Sequence, residues 1–260
     1  MSELHQYTEE FFEYIERGAV VSARQFSAFL VPLLKINSVL DVGCGRGAWL
    51  CEWKNAGVAV VRGADGPYVR ESSLLIPAVD FSAVDLSKPF DLGRRYDLVT
   101  SLEVAEHLPH DCAAAFVSSL AAHGDLVLFS AATPGQGGEN HVNEQPLSFW
   151  QELFRANGYE AYDVVRPVFE FNKSVEPWYR YNTILYANES ARSSLAADVV
   201  AKRVGPGRVS ELGDIQWRAR KSVLGLLPTA AVTTLSKWNY RRLNRMHRRQ
   251  QAKATTGIVG

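Results

Sequence analysis

Cysteine is scarce in this chain, with three in 260 residues at Cys44, Cys51 and Cys112. An odd number without paired spacing argues against a disulfide framework and against a zinc site. A reducing, cytoplasmic setting is the expectation. Net charge is missing too, since 28 Lys+Arg balance 28 Asp+Glu. No apolar run approaches the ~20 residues that span a bilayer. The opening Met1-Ser2-Glu3-Leu4-His5 has no basic stretch leading into an apolar core, as a secretory leader would. The chain is therefore expected to be soluble or peripheral to a membrane, and it shows no internal repeat.

The zero net charge hides a segregation. Residues 1–190 hold 14 Lys+Arg against 25 Asp+Glu, a net of −11, and residues 191–260 hold 14 against 3, a net of +11. The composition changes near Asn188-Glu189-Ser190 and turns Gly/Pro-rich at Gly205-Pro206-Gly207. Three regions follow: 1–36, 37–190 and a basic 191–260. In the first, apolar residues at Tyr7, Phe11, Phe12, Tyr14 and Ile15, then at Phe26, Phe29, Leu30, Leu33 and Leu34, suit two helices. In the second, strand-like runs at 39–42, 58–62, 81–84, 98–101, 126–131, 161–166 and 183–187 alternate with helical ones, which is the pattern of a doubly wound α/β sheet. Residues 146–157 read as a helix with Phe149, Trp150, Leu153 and Phe154 inward. Only the region around Thr255-Thr256-Gly257 reads as disordered.

The run Val39-Leu40-Asp41-Val42-Gly43-Cys44-Gly45-Arg46-Gly47-Ala48 reads as strand, glycine turn and helix start. Glycines let the backbone approach a ligand where a Cβ would clash, and the helix start offers unpaired amides. A nucleotide-like cofactor is implied. Gly43-x-Gly45-x-x-Ala48 also satisfies a loose dinucleotide fingerprint. Asp41 favours another ligand, because a carboxylate there repels a pyrophosphate but suits the cationic end of S-adenosylmethionine. Asp65 ends the second strand, where an acid accepts hydrogen bonds from ribose hydroxyls, and Asp85 ends the third, within reach of an adenine amino group.

With Asp41-x-Gly43-x-Gly45-x-Gly47, Asp65, Asp85 and the run from Tyr96-Asp97-Leu98-Val99 to Glu103-Val104-Ala105-Glu106-His107-Leu108, the chain resembles the class I S-adenosylmethionine-dependent methyltransferases. The resemblance spans roughly residues 20–190 and is to the small-molecule and glycan-modifying bacterial group. It implies a Rossmann-like seven-stranded sheet whose last two strands form an antiparallel edge, with N-terminal helices capping the cofactor cleft, to which the charge pattern adds a basic helical C-terminal appendage. It further implies that S-adenosylmethionine is held by Asp41, Gly43, Gly45, Gly47, Asp65, Gly66, Asp85, Leu86, Ser101 and Glu103.

A hydroxyl acceptor must lose its proton, and histidine is the usual base. His107 follows the fourth strand, and His141 lies in the polar loop Glu139-Asn140-His141-Val142-Asn143-Glu144-Gln145. Each reads either as a residue acting on the acceptor or as an architectural side chain. Asn143, Glu144, Trp178, Tyr179 and Arg180 are expected to border the acceptor, the last three from an aromatic-rich segment equally suited to core packing. Glu103, Glu106 and His107 raise the question of a metal, as Glu-x-x-x-His puts two possible ligands on one helical face. An oxygen-ligand site usually needs more carboxylates, so no metal is expected. Glu103 reads instead as a cofactor contact or as the cap of a helix starting near Val104. The Asn/Asp/Ser-Pro-Pro-Tyr/Phe box of amino-methylating DNA enzymes is absent, which disfavours nucleic acid.

Two helical patterns are expected in the tail, one through Ile215, Trp217, Val223, Leu224 and Leu227, and one after Pro228 with Val232, Leu235, Trp238, Leu243 and Met246 among Lys237, Arg241, Arg242, Arg245, Arg248 and Arg249. Residues 208–250 read as an interfacial element for the anionic inner face of a membrane, or as helices packing on the acidic domain of the same chain or of a second copy in a homo-oligomer. The expected activity is O-methylation of a sugar-containing or small secondary metabolite, including a lipid-linked or cell-envelope glycan. Carboxyl or amine methylation is one rival. The other is a cofactor-binding adaptor that works through the basic tail.

Overall fold

The computed structural model describes residues 9–256, with the side chains of residue 10 and of residues 16–246. Tyr7 and the side chains of Phe11, Phe12, Tyr14, Ile15, Arg248 and Arg249 lie outside the described residues, as does Gly257. Thr255 and Thr256, expected to be disordered, end the last helix.

Eight strands form one sheet: β1 (Ser38–Val42), β2 (Val60–Asp65), β3 (Phe81–Ala83), β4 (Leu98–Leu102), β5 (Leu126–Ser130), β6 (Tyr159–Tyr162), β7 (Ile184–Asn188) and β8 (Arg203–Val204). Their order is β3-β2-β1-β4-β5-β7-β6-β8. Strands β1 to β5 run parallel, and β7 is antiparallel to both β5 and β6. The expected alternation is therefore present, and the last two expected strands, β6 and β7, pair antiparallel as the resemblance implies. One correction concerns the edge beyond them. An eighth strand, β8, pairs with β6 from within the segment expected to be a helical appendage. The sixth strand also begins and ends earlier than its apolar run, because Arg166 opens a short helix.

The helices are α1 (Glu9–Leu34), α2 (Ala48–Asn55), α3 (Ala113–Ala122), α4 (Leu147–Ala156), α5 (Arg166–Phe169), α6 (Pro177–Asn182), α7 (Glu189–Arg192), α8 (Ala197–Val200), α9 (Ile215–Leu224) and α10 (Thr229–Thr256). The two expected N-terminal helices are one, α1. Gly18, between the two apolar runs, marks a contact rather than a break: a Cβ there would stand 2.2 Å from Glu176 Oε1. Helix α1 ends in Lys35, whose φ of 53° turns the chain toward β1.

β1, β4 and β5 are buried along their whole length. One core layer packs Phe26 and Leu30 of α1 with Trp53 of α2 and Phe169. The other packs Phe116, Leu120, Trp150 and Phe154 of α3 and α4 against Val99, Phe129 and Tyr186. With helices on both faces, the strand direction reverses its winding between β1 and β4, and ligands in such sheets bind beyond the carboxyl ends there.

Helix α10 returns across the molecule to α1. Val232, Tyr240 and Asn244 are buried, Asn244 Nδ2 donates to Glu10 O at 2.7 Å, and Lys237 pairs with Glu139 at 3.2 Å. Part of the basic tail thus packs on the acidic region of its own chain.

Phe154 stacks on Tyr186 with centroids 3.9 Å apart and meets Phe129 at 5.2 Å. Phe154→Ala should lower the unfolding free energy by about 3–5 kcal/mol in denaturant titration, the usual cost of emptying a buried aromatic site. A loss below about 1 kcal/mol would show that this layer is loosely packed.

Candidate active site

The site begins with the turn after β1. Gly43, Gly45 and Gly47 have φ of 82°, 54° and 93°, conformations that L side chains rarely adopt. A Cβ on Gly43 would also stand 2.3 Å from Val104. The amides of Gly43 and Cys44 donate to Ala64 O at 2.7 and 3.3 Å, and Gly45 N donates to Asp65 Oδ2 at 2.6 Å. The turn is thereby locked to the end of β2. Arg46 pairs with Glu16 of α1, which holds the N-terminal helix over the turn.

A cavity of about 280 Å3 opens beyond these strand ends. Of the residues expected to act, Gly43, Gly45, Asp65, Gly66, Asp85, Leu86, Glu103, His107, His141, Trp178 and Tyr179 line it. Asp41, Gly47, Ser101, Asn143, Glu144 and Arg180 are not among its lining residues. Each of these has another place. Thr100 Oγ1 donates to Asp41 Oδ1 at 2.6 Å, so that Asp41 staples β1 to β4 beneath the cavity floor. Gly47 sets the entry of α2, and Ser101 is buried in β4. Asn143 Oδ1 accepts from His110 Nδ1 at 3.1 Å. Arg180 turns outward to Asp214 and donates to Asn172 O.

Asp65 presents a carboxylate to the cavity wall. It accepts from Gly45 N, from Gly66 N at 2.6 Å and from Tyr68 Oη at 2.5 Å. Burial nevertheless pushes its pKa above the ordinary carboxylate value. Asp85 accepts from Ser87 and pairs with Lys88 at 2.8 Å, and the Lys88 contact leads in holding its pKa down. Burial raises Asp41 most, to about 7, against the hydrogen bond from Thr100 and with the help of the Asp65 charge.

The far side of the cavity is built after β4. Glu103 takes a left-handed φ of 58°, uncommon for a residue with a side chain. It accepts from Gln136 Nε2 at 2.6 Å, and burial raises its pKa. The expected helix from Val104 is only a short turn over Ala105–His107, so Glu103 and His107 do not share a helical face. His107 and His141 meet edge to face with centroids 4.9 Å apart. His141 Nδ1 donates to Glu144 Oε1 at 2.8 Å, and His107 Nδ1 donates to Asn140 O at 3.2 Å. Glu144 in turn accepts from the amides of Gly135 and Gly137.

The family model for the methyltransferase domain matches residues 3–165, more than half of the chain. The chain belongs to this family. No curated protein matches the methyltransferase. Among solved structures it is similar to the sugar N-methyltransferase KedS8 from Streptoalloteichus sp. ATCC 53650, with 16% identity and a TM-score of 0.54 over 72% of this chain and 96% of that one. It is also similar to DesVI of Streptomyces venezuelae, with 14% identity and a TM-score of 0.52 over 68% and 95%. Magnesium protoporphyrin IX methyltransferase from Synechocystis PCC 6803, with bound SAM, shares 21% identity at a TM-score of 0.50 over 71% and 86%. These likenesses establish the fold.

Several wall residues of the methyltransferase escape sequence reasoning. Glu16, Trp49 and Tyr68 line the cavity, as do Glu106 and Gln136. Arg220, Ser236, Asn239 and Tyr240 reach it from the tail. For Tyr68 and Glu106 the signal was proximity to Asp65 and His107. The tail residues carry no local signal, because their place depends on α10 folding back.

An acid whose folded pKa lies above its unfolded value favours folding at low pH, and this contribution is lost as pH rises from about 4 through about 7. Asp41→Asn, which keeps a partner for Thr100, should flatten the decline of Tm over that window and raise Tm at pH 8. Parallel pH profiles for the two proteins would place the titration elsewhere.

Proposed function

We propose that this methyltransferase uses S-adenosylmethionine to methylate a hydroxyl group of a sugar-containing or small secondary metabolite. The observation that carries the reading is the pair of imidazoles at the cavity wall opposite Asp65 and the glycine turn, each with Nδ1 spent on an acceptor. In a neutral ring that assignment puts the lone pair on Nε2. A hydroxyl acceptor needs such a base, and an amine or carboxylate does not.

The residues present fit the cofactor. A carboxylate accepts about four hydrogen bonds, and Asp65 uses three, one of them from the displaceable Tyr68 hydroxyl. It therefore suits a ribose diol. The left-handed glycine turn brings the backbone of Gly43 and Gly45 to the cavity lining, and Asp85 and Leu86 border the place for an adenine. When bound, the cofactor supplies an electrophilic methyl group on a sulfonium. The chain's own part is to align an acceptor oxygen for in-line attack, to keep water away and to take up its proton. His107 and His141 are assigned the proton, Glu103 orients the acceptor side through Gln136, and Trp178 and Tyr179 offer aromatic faces to a ring. Glu144 holds His141 rather than touching the acceptor. The printed names of similar structures, a sugar N-methyltransferase and an amino pentose methyltransferase, support a sugar acceptor.

A second surface supports a membrane-linked acceptor. Leu235, Trp238, Arg242, Arg245 and Met246 recur along one side of α10, all exposed, and Arg242 lies over the Trp238 ring at 5.5 Å. Apolar and basic side chains on one face suit an anionic lipid surface. Among the described residues no helix is long and apolar enough to cross a membrane.

Calorimetric titration with S-adenosylmethionine should show one site, weakened at least tenfold by Asp65→Ala. Against sugar nucleotides and lipid-linked glycans, His141→Ala should cost about 10²–10⁴ in kcat with little change in cofactor affinity. A loss below threefold would favour an amine or carboxyl acceptor, and no cofactor binding would end the reading. The double variant Arg242→Ala with Arg245→Ala should sediment about thirtyfold less with anionic vesicles, at ~1 kcal/mol per charge. Unchanged sedimentation would reject the membrane face.

A further inference from the structure

We infer that Glu106, His107 and His141 form a binding site for a divalent transition-metal ion at the acceptor end of the cavity. One ligand atom from each lies within 4.8 Å of the other two. Metal bonds of 2.0–2.2 Å require separations of about 3 Å, so a bound ion would draw these atoms together. This departs from the expectation of no metal at Glu103, Glu106 and His107, which rested on the shortage of carboxylates for an oxygen-ligand site. The turn over Ala105–His107 and the loop at Asn140, with its φ of 58°, create a different set.

Glu106 is the independent pointer to a ligand. It is 0% exposed and lines the cavity, and neither carboxylate oxygen has a hydrogen-bond partner. Burial raises its pKa, and the backbone amides of its own residue and of Ala132 give it only partial support against that larger rise. A buried carboxylate in that state costs folding free energy. A cation between it and the two imidazoles supplies the missing partner.

The two histidines are prepared in the way metal ligands are. A ligating imidazole commonly donates its second ring N–H to a carboxylate or a backbone carbonyl, which fixes the tautomer and the ring plane. Here His141 Nδ1 donates to Glu144 and His107 Nδ1 to Asn140 O, so both Nε2 atoms carry lone pairs. The two amides that hold Glu144 steady extend this support by one more shell. Two imidazoles with one carboxylate are a donor set for Mn2+, Fe2+, Co2+ or Zn2+ rather than for Mg2+, which prefers oxygen. Three protein ligands leave coordination positions open toward the cavity.

The site stands on its own geometry, and only its role rests on the methyl-transfer reading. A hydroxyl bound at an open position loses its proton more readily. The O–H bond breaks, the proton passes to a metal-bound hydroxide and leaves as water, and the oxygen lone pair forms the O–CH3 bond as the S–CH3 pair returns to sulfur. With the metal bound, this replaces the role of the two Nε2 lone pairs as bases: both histidines act as ligands, and a metal-bound hydroxide rather than an imidazole takes the proton.

The test uses the full chain stripped with a chelator, without cofactor or acceptor. Titration with Mn2+, Co2+ and Zn2+, followed by calorimetry and by the Co2+ visible spectrum, should show one equivalent of at least one ion. Glu106→Gln and His141→Ala should each abolish it or weaken it more than a hundredfold. Glu144→Gln, which keeps an acceptor oxygen for the Gly135 and Gly137 amides but removes the charge beside His141, should weaken it about 10- to 100-fold. Circular dichroism confirms that each variant is folded. Absence of binding for all three ions overturns the site, as does binding that Glu106→Gln and His141→Ala leave unchanged. Titration of the same stripped protein with S-adenosylmethionine separates the two ideas, since cofactor binding without metal binding sinks only the metal.

Discussion

Four carboxyl groups, Asp41, Asp65, Glu103 and Glu106, stand where β1, β2 and β4 end, and burial raises the pKa of all four. Gathering that much latent negative charge in one desolvated crevice opposes folding, and the surrounding structure is arranged around it. Asp41 takes a hydrogen bond from Thr100, Asp65 takes the glycine-turn amides, and Glu103 takes Gln136 and Asn182. Glu106 alone of the four has no side-chain partner and only weak support from two backbone amides. The crevice is thus electrostatically incomplete in itself and suited to ligands that bring positive charge or donors.

The cavity walls come from opposite ends of the chain. Helix α1 is held over the glycine turn by Glu16 and Arg46, and Trp49 meets Tyr179 edge to face at 5.0 Å beneath it. The tail completes the enclosure. Arg220 donates to Gln136 O at 2.6 Å, Lys221 donates to Thr133 Oγ1 at 2.6 Å, and Tyr240 is buried against the opening. The segregated charge of the sequence is partly resolved inside one molecule, through Lys237 with Glu139 and Arg241 with Glu10. What remains outward on α10 is a mixed basic and apolar face, so one helix serves both the cavity and the surface.

Much of the sheet was legible because its causes are local. A strand buried on both faces reads as a continuous apolar run, and a left-handed turn reads as glycine, so β1, its turn and α2 were evident from residues 39–50. The seven-strand count fell short because β8 is two residues long and carries no pattern of its own. The single α1 was hidden because Gly18 resembles a helix breaker until its contact with Glu176 is seen. Within the site, Asp65, Asp85, His107 and His141 sit at strand ends or in polar loops, where position alone suggests a role. Arg180 was expected to border the acceptor, yet it is buried and pairs with Asp214 instead.

By itself the sequence determined the strand–turn–helix unit, the α/β class and the acids at the strand ends, since these follow from side-chain period and from backbone conformations only glycine enters freely. Tertiary structure alone decided that Asp41 lies under the floor, that Glu106 joins two histidines 34 residues apart in sequence, and that the basic tail walls the cavity. Those outcomes depend on packing between remote segments, where no local period or propensity specifies which side chains will meet.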